Sequence, residues 1–118
     1  MACNMFYRSE IYLANLYPKK GDEVGKTRPV LILQSDILNS IGHTTSIVAP
    51  ISSVIIENAH PLRFFISKRD KLQRDSQVLC DQIRAIDVGR LIPDKIATLS
   101  EAEMLQIQKN IEIILDFE

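Results

Sequence analysis

Tryptophan is absent from this 118-residue chain, and cysteine, histidine and glycine are scarce, at two, two and four residues. Two cysteines, Cys3 and Cys80, make neither a disulfide framework nor a zinc site. His43 and His60 have no partner at ligand or triad spacing. Without a His/Cys/carboxylate cluster, neither a metal nor another cofactor is expected. No glycine-rich phosphate loop and no G-x-S-x-G elbow occurs. No apolar run approaches the roughly 18 residues of a membrane span. The start, Met1 to Arg8, lacks the basic, apolar and small segments of a signal peptide, so a cytoplasmic protein with no membrane partner is expected. Excess charge is missing too: the net charge is -1 and the pI about 6.1. That argues against coating nucleic acid through a broad basic surface, and leaves room for a local basic groove.

What is present describes one globular domain spanning 1–118, with residues 1–8 read as a mobile tail. Apolar residues make up 46 % of the chain and charged residues 25 %, ordinary for a packed fold. Strand composition marks Glu10 to Leu16, Pro29 to Gln34, Thr44 to Ile51, Leu62 to Ile66, Ser76 to Ile86 and Ile92 to Ala97. Pro50 suggests an edge or a bulge in the third of these. Ser35 to His43 reads as a loop with a helical turn at Asp36-Ile37-Leu38. Six short strands at this spacing predict a small, strongly curved sheet or barrel. Ser100-Glu101-Ala102-Glu103 is a capping box. Met104, Ile107, Ile111, Ile114 and Leu115 follow it at helical spacing, predicting an amphipathic helix of about four turns that covers the open side of the sheet. Cys80, in Val78-Leu79-Cys80, reads as a small buried residue.

The richest stretch runs from Pro18 to Leu33. Glycines and charged residues make its first part, from Lys19 to Lys26, a loop. Val30-Leu31-Ile32-Leu33 is continuously apolar, as in a strand buried on both faces. Arg28 sits where loop meets strand, and Pro29 biases it toward an extended backbone. Its guanidinium is charged at every relevant pH and its fork matches a phosphate. A carboxylate in the same loop, Glu23, could accept a proton. A solvated charge and a surface ion pair would use the same residues. Ser52 and Ser53 end an apolar run, so their hydroxyls emerge at a strand end, suited to a phosphate oxygen or to ordinary turn chemistry. By strand alternation Gln82 and Arg84 share a face, fit for base edges and phosphate or for a subunit contact. Arg63 to Arg74 carries five basic residues against one acid, the best local patch for a polyanion.

Taken in order, these segments resemble the MazF/PemK (Kid) family of toxin endoribonucleases. The matching pieces are Glu10-Ile11-Tyr12-Leu13-Ala14-Asn15-Leu16-Tyr17-Pro18, Gly21 with Glu23, Lys26-Thr27-Arg28-Pro29-Val30-Leu31-Ile32 and Ile47-Val48-Ala49-Pro50-Ile51-Ser52. Asp75 to Arg84, Arg90-Leu91 and the helix from Leu99-Ser100 to Phe117 complete them. The resemblance implies a mainly β fold with helices (α+β), a small SH3-like, CcdB/PemK-like β-barrel with a C-terminal amphipathic helix. It implies a homodimer that cleaves single-stranded RNA, usually mRNA, at a short sequence without a metal. It also implies a MazE-like antitoxin that blocks the RNA groove. By position Arg28 matches the family's catalytic arginine, and Ser52 a catalytic hydroxyl that is threonine or serine in relatives. Glu23 matches a loop glutamate, and Gln82 and Arg84 a Gln-Ile-Arg segment. Lys19, Lys20, Lys26, Thr27, Ser53 and Arg69 are expected with Gln82 and Arg84 to bind the RNA. The family's usual Gly-Asp before the first strand is Ser9-Glu10 here. A gyrase poison of the CcdB type resembles the same barrel but implies a C-terminal tryptophan, which this chain lacks. A non-catalytic SH3-like binding module is the other alternative.

Overall fold

The computed structural model describes residues 5–16 and 27–117. Seven strands run β1 (Glu10–Asn15), β2 (Thr27–Ile32), β3 (Thr45–Ser52), β4 (Arg63–Ile66), β5 (Ser76–Leu79), β6 (Arg84–Asp87) and β7 (Ala97–Thr98). A short helix α1 (Asp36–Ser40) joins β2 to β3, a 3₁₀ turn (Val88–Arg90) follows β6, and helix α2 (Glu101–Ile114) comes last. No helix of the described residues is long and apolar enough to cross a membrane.

The strands form one antiparallel sheet in the order β4-β5-β3-β2-β1-β7, with β6 also on β3. Strand alternation sorts the apolar residues onto two faces. Ile11, Leu31, Ala49 and Ile51 belong to a core that Val78, Cys80, Met104 and Ile107 complete from β5, its following turn and α2. Tyr12, Ala14, Val30, Ile32 and Val48 point the other way, into a second core closed by Ile86 and Leu91. A bridge between Ala14 and Leu91 draws the chain after β6 back to β1, which curls this side of the sheet. The result is a half-barrel, since β4 and β7 are neighbours of a single strand each and do not pair with one another. The SH3-like description fits it loosely. β2 is apolar on both faces because each face meets a core, as its composition predicted.

Several local expectations change in the structure. Pro50 does not mark an edge. β3 is the hub of the sheet, with Val30 of β2 opposite Pro50 on one side. On its other side β3 pairs with β6 through Val48 and with β5 from Ile51. Pro50 falls where one partner is exchanged for the next, so the ladder is already interrupted at the missing N–H. The long strand expected from Ser76 to Ile86 breaks into β5 and β6. The turn between them is closed by Gln82 N–H donating to the Leu79 carbonyl at 3.1 Å. Strand structure near residue 97 is confined to β7, where Ile11 faces Ala97. Of the stretch expected as a tail, residues 1–4 lie outside the described residues, while the Arg8 N–H donates to Asp36 at 2.7 Å and its guanidinium donates to the Leu33 carbonyl. Phe6 packs edge-on against Tyr12 with ring centres 4.8 Å apart.

The helix begins as the capping box requires. Ser100 Oγ accepts the Glu103 N–H at 3.1 Å, and Glu103 Oε1 accepts the Ser100 N–H at 2.9 Å. Met104 and Ile107 are buried from α2 with Asn110, while Leu115 lies beyond its end and is exposed. Cys80 is buried, as read from its run. Burial pushes its thiol up to about 11.

Candidate active site

A cleft of about 590 Å³ opens where the ends of β2 and β3 meet the chain connecting β4 to β5. Arg28 and Pro29 line it from β2, and Ile51 and Ser52 from β3. Ser53 and Val54 extend that wall. The β2–β3 register pairs Val30 with Pro50 and Leu31 with Ala49. Carried two residues further, it sets Arg28 level with Ser52. Arg28 is exposed and shares this cleft with the Ser52 hydroxyl, so the guanidinium and the hydroxyl serve one space. Among the described residues Arg28 makes no ion pair.

The opposite wall supplies more charge. Lys71 and Arg74 line it together with Asp94, which Lys71 contacts at 2.6 Å. Both members of that pair are well exposed, so it contributes little stability. With Arg28, three cations face one acid among the described lining residues, in a chain of net charge -1. The positive charge is therefore local. Among the described residues no group of three or more His, Cys, Asp or Glu is placed to hold a metal ion.

Ser52 Oγ accepts the Val54 N–H at 3.1 Å. A hydroxyl has one proton to give and two positions to accept, so this bond leaves its O–H free to donate into the cleft. Ser53, exposed, lines the same wall.

Other sequence candidates stand elsewhere. Arg69 does not line the cleft, and its guanidinium is held by Glu103 of α2 at 2.6 and 2.8 Å. The bidentate pair raises the arginine further and holds the Glu103 carboxyl below its usual range. Gln82 lies in the turn between β5 and β6, not on a strand, so alternation does not set it beside Arg84. Neither residue lines the cleft; Arg84 opens β6 opposite Val48. Thr27 begins β2 opposite Asn15, exposed and outside the cleft lining. Glu23, Lys19, Lys20 and Lys26 lie outside the described residues. The basic segment divides by role: Arg63 braces a loop through the Val54 carbonyl at 3.0 Å, Arg69 anchors the helix, and Lys71 and Arg74 reach the cleft. Asp94 was missed, since a lone acid after a proline carries no chemical signature in sequence.

This half-barrel with a cationic cleft at its strand ends has known counterparts. The family model for the PemK-like, MazF-like toxin of type II toxin-antitoxin systems matches residues 7–115. The chain belongs to that family. It is 39 % identical over 112 residues to the endoribonuclease MazF of Staphylococcus epidermidis, covering 94 % of this chain and 92 % of that one. It is 40 % identical over 109 residues to the endoribonuclease EndoA of Bacillus subtilis, covering 92 % of each. A MazE-MazF structure from Deinococcus radiodurans shares the fold, with a TM-score of 0.76 at 19 % identity over 97 % of this chain and 98 % of that one.

Proposed function

We propose that this chain is an endoribonuclease toxin that cuts single-stranded RNA in the Arg28–Ser52 cleft by attack of the RNA's own 2′-hydroxyl on the adjacent phosphorus. The O–P bond to the leaving 5′-oxygen breaks, giving a 2′,3′-cyclic phosphate and a free 5′-hydroxyl. Three tasks arise: removing the 2′ proton, stabilising the charge of the five-coordinate phosphorus and protonating the leaving oxygen. Arg28 stabilises the charge, because its permanently charged fork can meet two phosphate oxygens at once. Ser52 donates to a non-bridging oxygen. Glu23 is assigned the removal of the 2′ proton, and Arg28 delivers a proton to the leaving 5′-oxygen through bound water. The chemistry uses no metal.

A single observation carries the reading: Arg28 and Ser52, on the adjacent strands β2 and β3, line one cleft whose described residues include three cations and one acid. Kinship with named endoribonucleases over nearly the whole chain supports it. Lys71 and Arg74 join Ser53 as contacts for the RNA backbone, and the loop carrying Lys19, Lys20 and Lys26 supplies the rest. Thr27, Gln82 and Arg84 contribute from outside the cleft lining. The protein acts as a cytoplasmic homodimer restrained by a MazE-like antitoxin; a relative of the same fold is known together with MazE.

The test is incubation of the purified protein with a defined single-stranded RNA in EDTA. Discrete fragments with cyclic-phosphate and 5′-hydroxyl ends are expected. Cleavage that returns only on adding a divalent metal would overturn the metal-free chemistry. Intact RNA under every condition would overturn the nuclease.

A further inference from the structure

We infer that Gln77 and Arg63 form a clamp that sets the Ser52 hydroxyl for its task, which makes Gln77 a positioning residue; the inference rests on the nuclease reading. Beyond Ser52 the chain runs through residues 53–62 without strand or helix. Apolar burial does not hold its first part, since Val54 is 67 % exposed and Ile55 and Ile56 are also exposed. Polar bonds do. Gln77, only 6 % exposed, lies on β5 directly opposite Ser52. Its Oε1 accepts the Ile56 N–H at 3.0 Å, and its Nε2 donates to the Ile56 carbonyl at 2.9 Å. The side-chain amide thus pairs with both polar groups of one residue, as a neighbouring strand would. Arg63 on β4 donates to the Val54 carbonyl at 3.0 Å and to Gln77 Oε1 at 3.2 Å.

The clamp ends at the reacting group. Val54, held through its carbonyl, gives its N–H to Ser52 Oγ. That bond occupies one acceptor position of the hydroxyl, fixes the oxygen and leaves its proton free to donate. A buried amide without partners would be costly, but here both of its ends are satisfied by the loop. An apolar residue of the same size would fill the space and leave the loop unheld. Gln77 does not itself line the cleft, and its side-chain amide bonds to Ile56, so it acts on the Ser52 hydroxyl through the loop.

Gln77→Met keeps length and volume and removes both bonds to Ile56 and the one from Arg63. Losing a pair of neutral hydrogen bonds of ordinary strength shifts an equilibrium by about tenfold or more. The expected result is a fall of about tenfold in kcat with KM changed less than about twofold, and no further fall when the substitution is made in a Ser52→Ala background. Arg63→Met should repeat the pattern more weakly, and serves if Gln77→Met does not fold. An unchanged rate, or an equal loss with and without the Ser52 hydroxyl, overturns the clamp. Amide exchange at Val54 and Ile56 reads the clamp without reference to activity and should quicken about tenfold in Gln77→Met. Unchanged exchange overturns it as well. A wild-type protein that leaves RNA intact counts against the nuclease reading, and the exchange rates then decide the clamp alone.

Discussion

Arg28→Ala separates catalysis from stability at one position. The side chain is exposed, and its backbone partner on β1 is Ala14. Truncating it opens no cavity and leaves no buried polar group unpaired, so unfolding free energy should change by no more than about 0.5 kcal/mol. The rate should behave differently. A preorganised charged donor aimed at charge that develops in the transition state is worth about 2.7–4 kcal/mol, or 10²–10³ in rate. Ser52 and the two cations across the cleft remain, so binding of a non-cleavable 2′-deoxy oligonucleotide should weaken far less than the rate. Arg28→Lys keeps the charge and loses the fork, and should also fail to restore the rate. The assay is kcat/KM on a fluorogenic RNA in EDTA, run beside a denaturant melt and an anisotropy titration. A folded Arg28→Ala protein that cuts RNA at the wild-type rate refutes the role given to the guanidinium.

Two further predictions concern stability and reactivity. Glu103→Ala removes the capping bond to Ser100 and the bidentate pair with Arg69, about 1 kcal/mol for each after allowing for partial solvent screening; a denaturant melt showing a loss below about 0.5 kcal/mol would contradict it. The pH dependence follows from the lowered Glu103 carboxyl. Its contribution is complete above the ordinary glutamate value of about 4.3 and is lost as pH falls through the lowered folded value. The stability gap between wild type and Glu103→Ala should therefore shrink below about pH 4, and a gap constant from pH 3 to 7 would be the wrong outcome. Cys80, buried and with its thiol pushed up to about 11, stays protonated at pH 8. Iodoacetamide should label the Cys80 peptide at least about 100-fold more slowly in native than in unfolded protein, by mass spectrometry; equal rates would contradict its burial.

Features that depend on neighbours along the chain are legible in the order of residues alone. Ser100 and Glu103 are three residues apart, close enough to bond across one helical turn wherever the helix is packed. Val30 to Leu33 announces a strand with two apolar sides because no polar residue interrupts it. Arg28 stands at a loop-to-strand junction because glycines and charge give way there to Pro29 and an apolar run. The ordered set of such segments was enough to mark the family. Only tertiary structure decided what long-range pairing controls. Glu103 claims Arg69 across 34 positions, which takes from the groove a cation that composition had assigned to it. Pro50 is tolerated in the central strand because β6 hands over to β5 beside it, a coincidence of register that no local pattern carries. Gln82 leaves its expected strand because β5 and β6 must meet different parts of β3. The cleft itself draws on β2, β3 and two connecting segments, and it comes into being only when the sheet curls. Spacing along a chain constrains geometry over a few residues, whereas a side chain's role at longer range depends on which partner reaches it first in space.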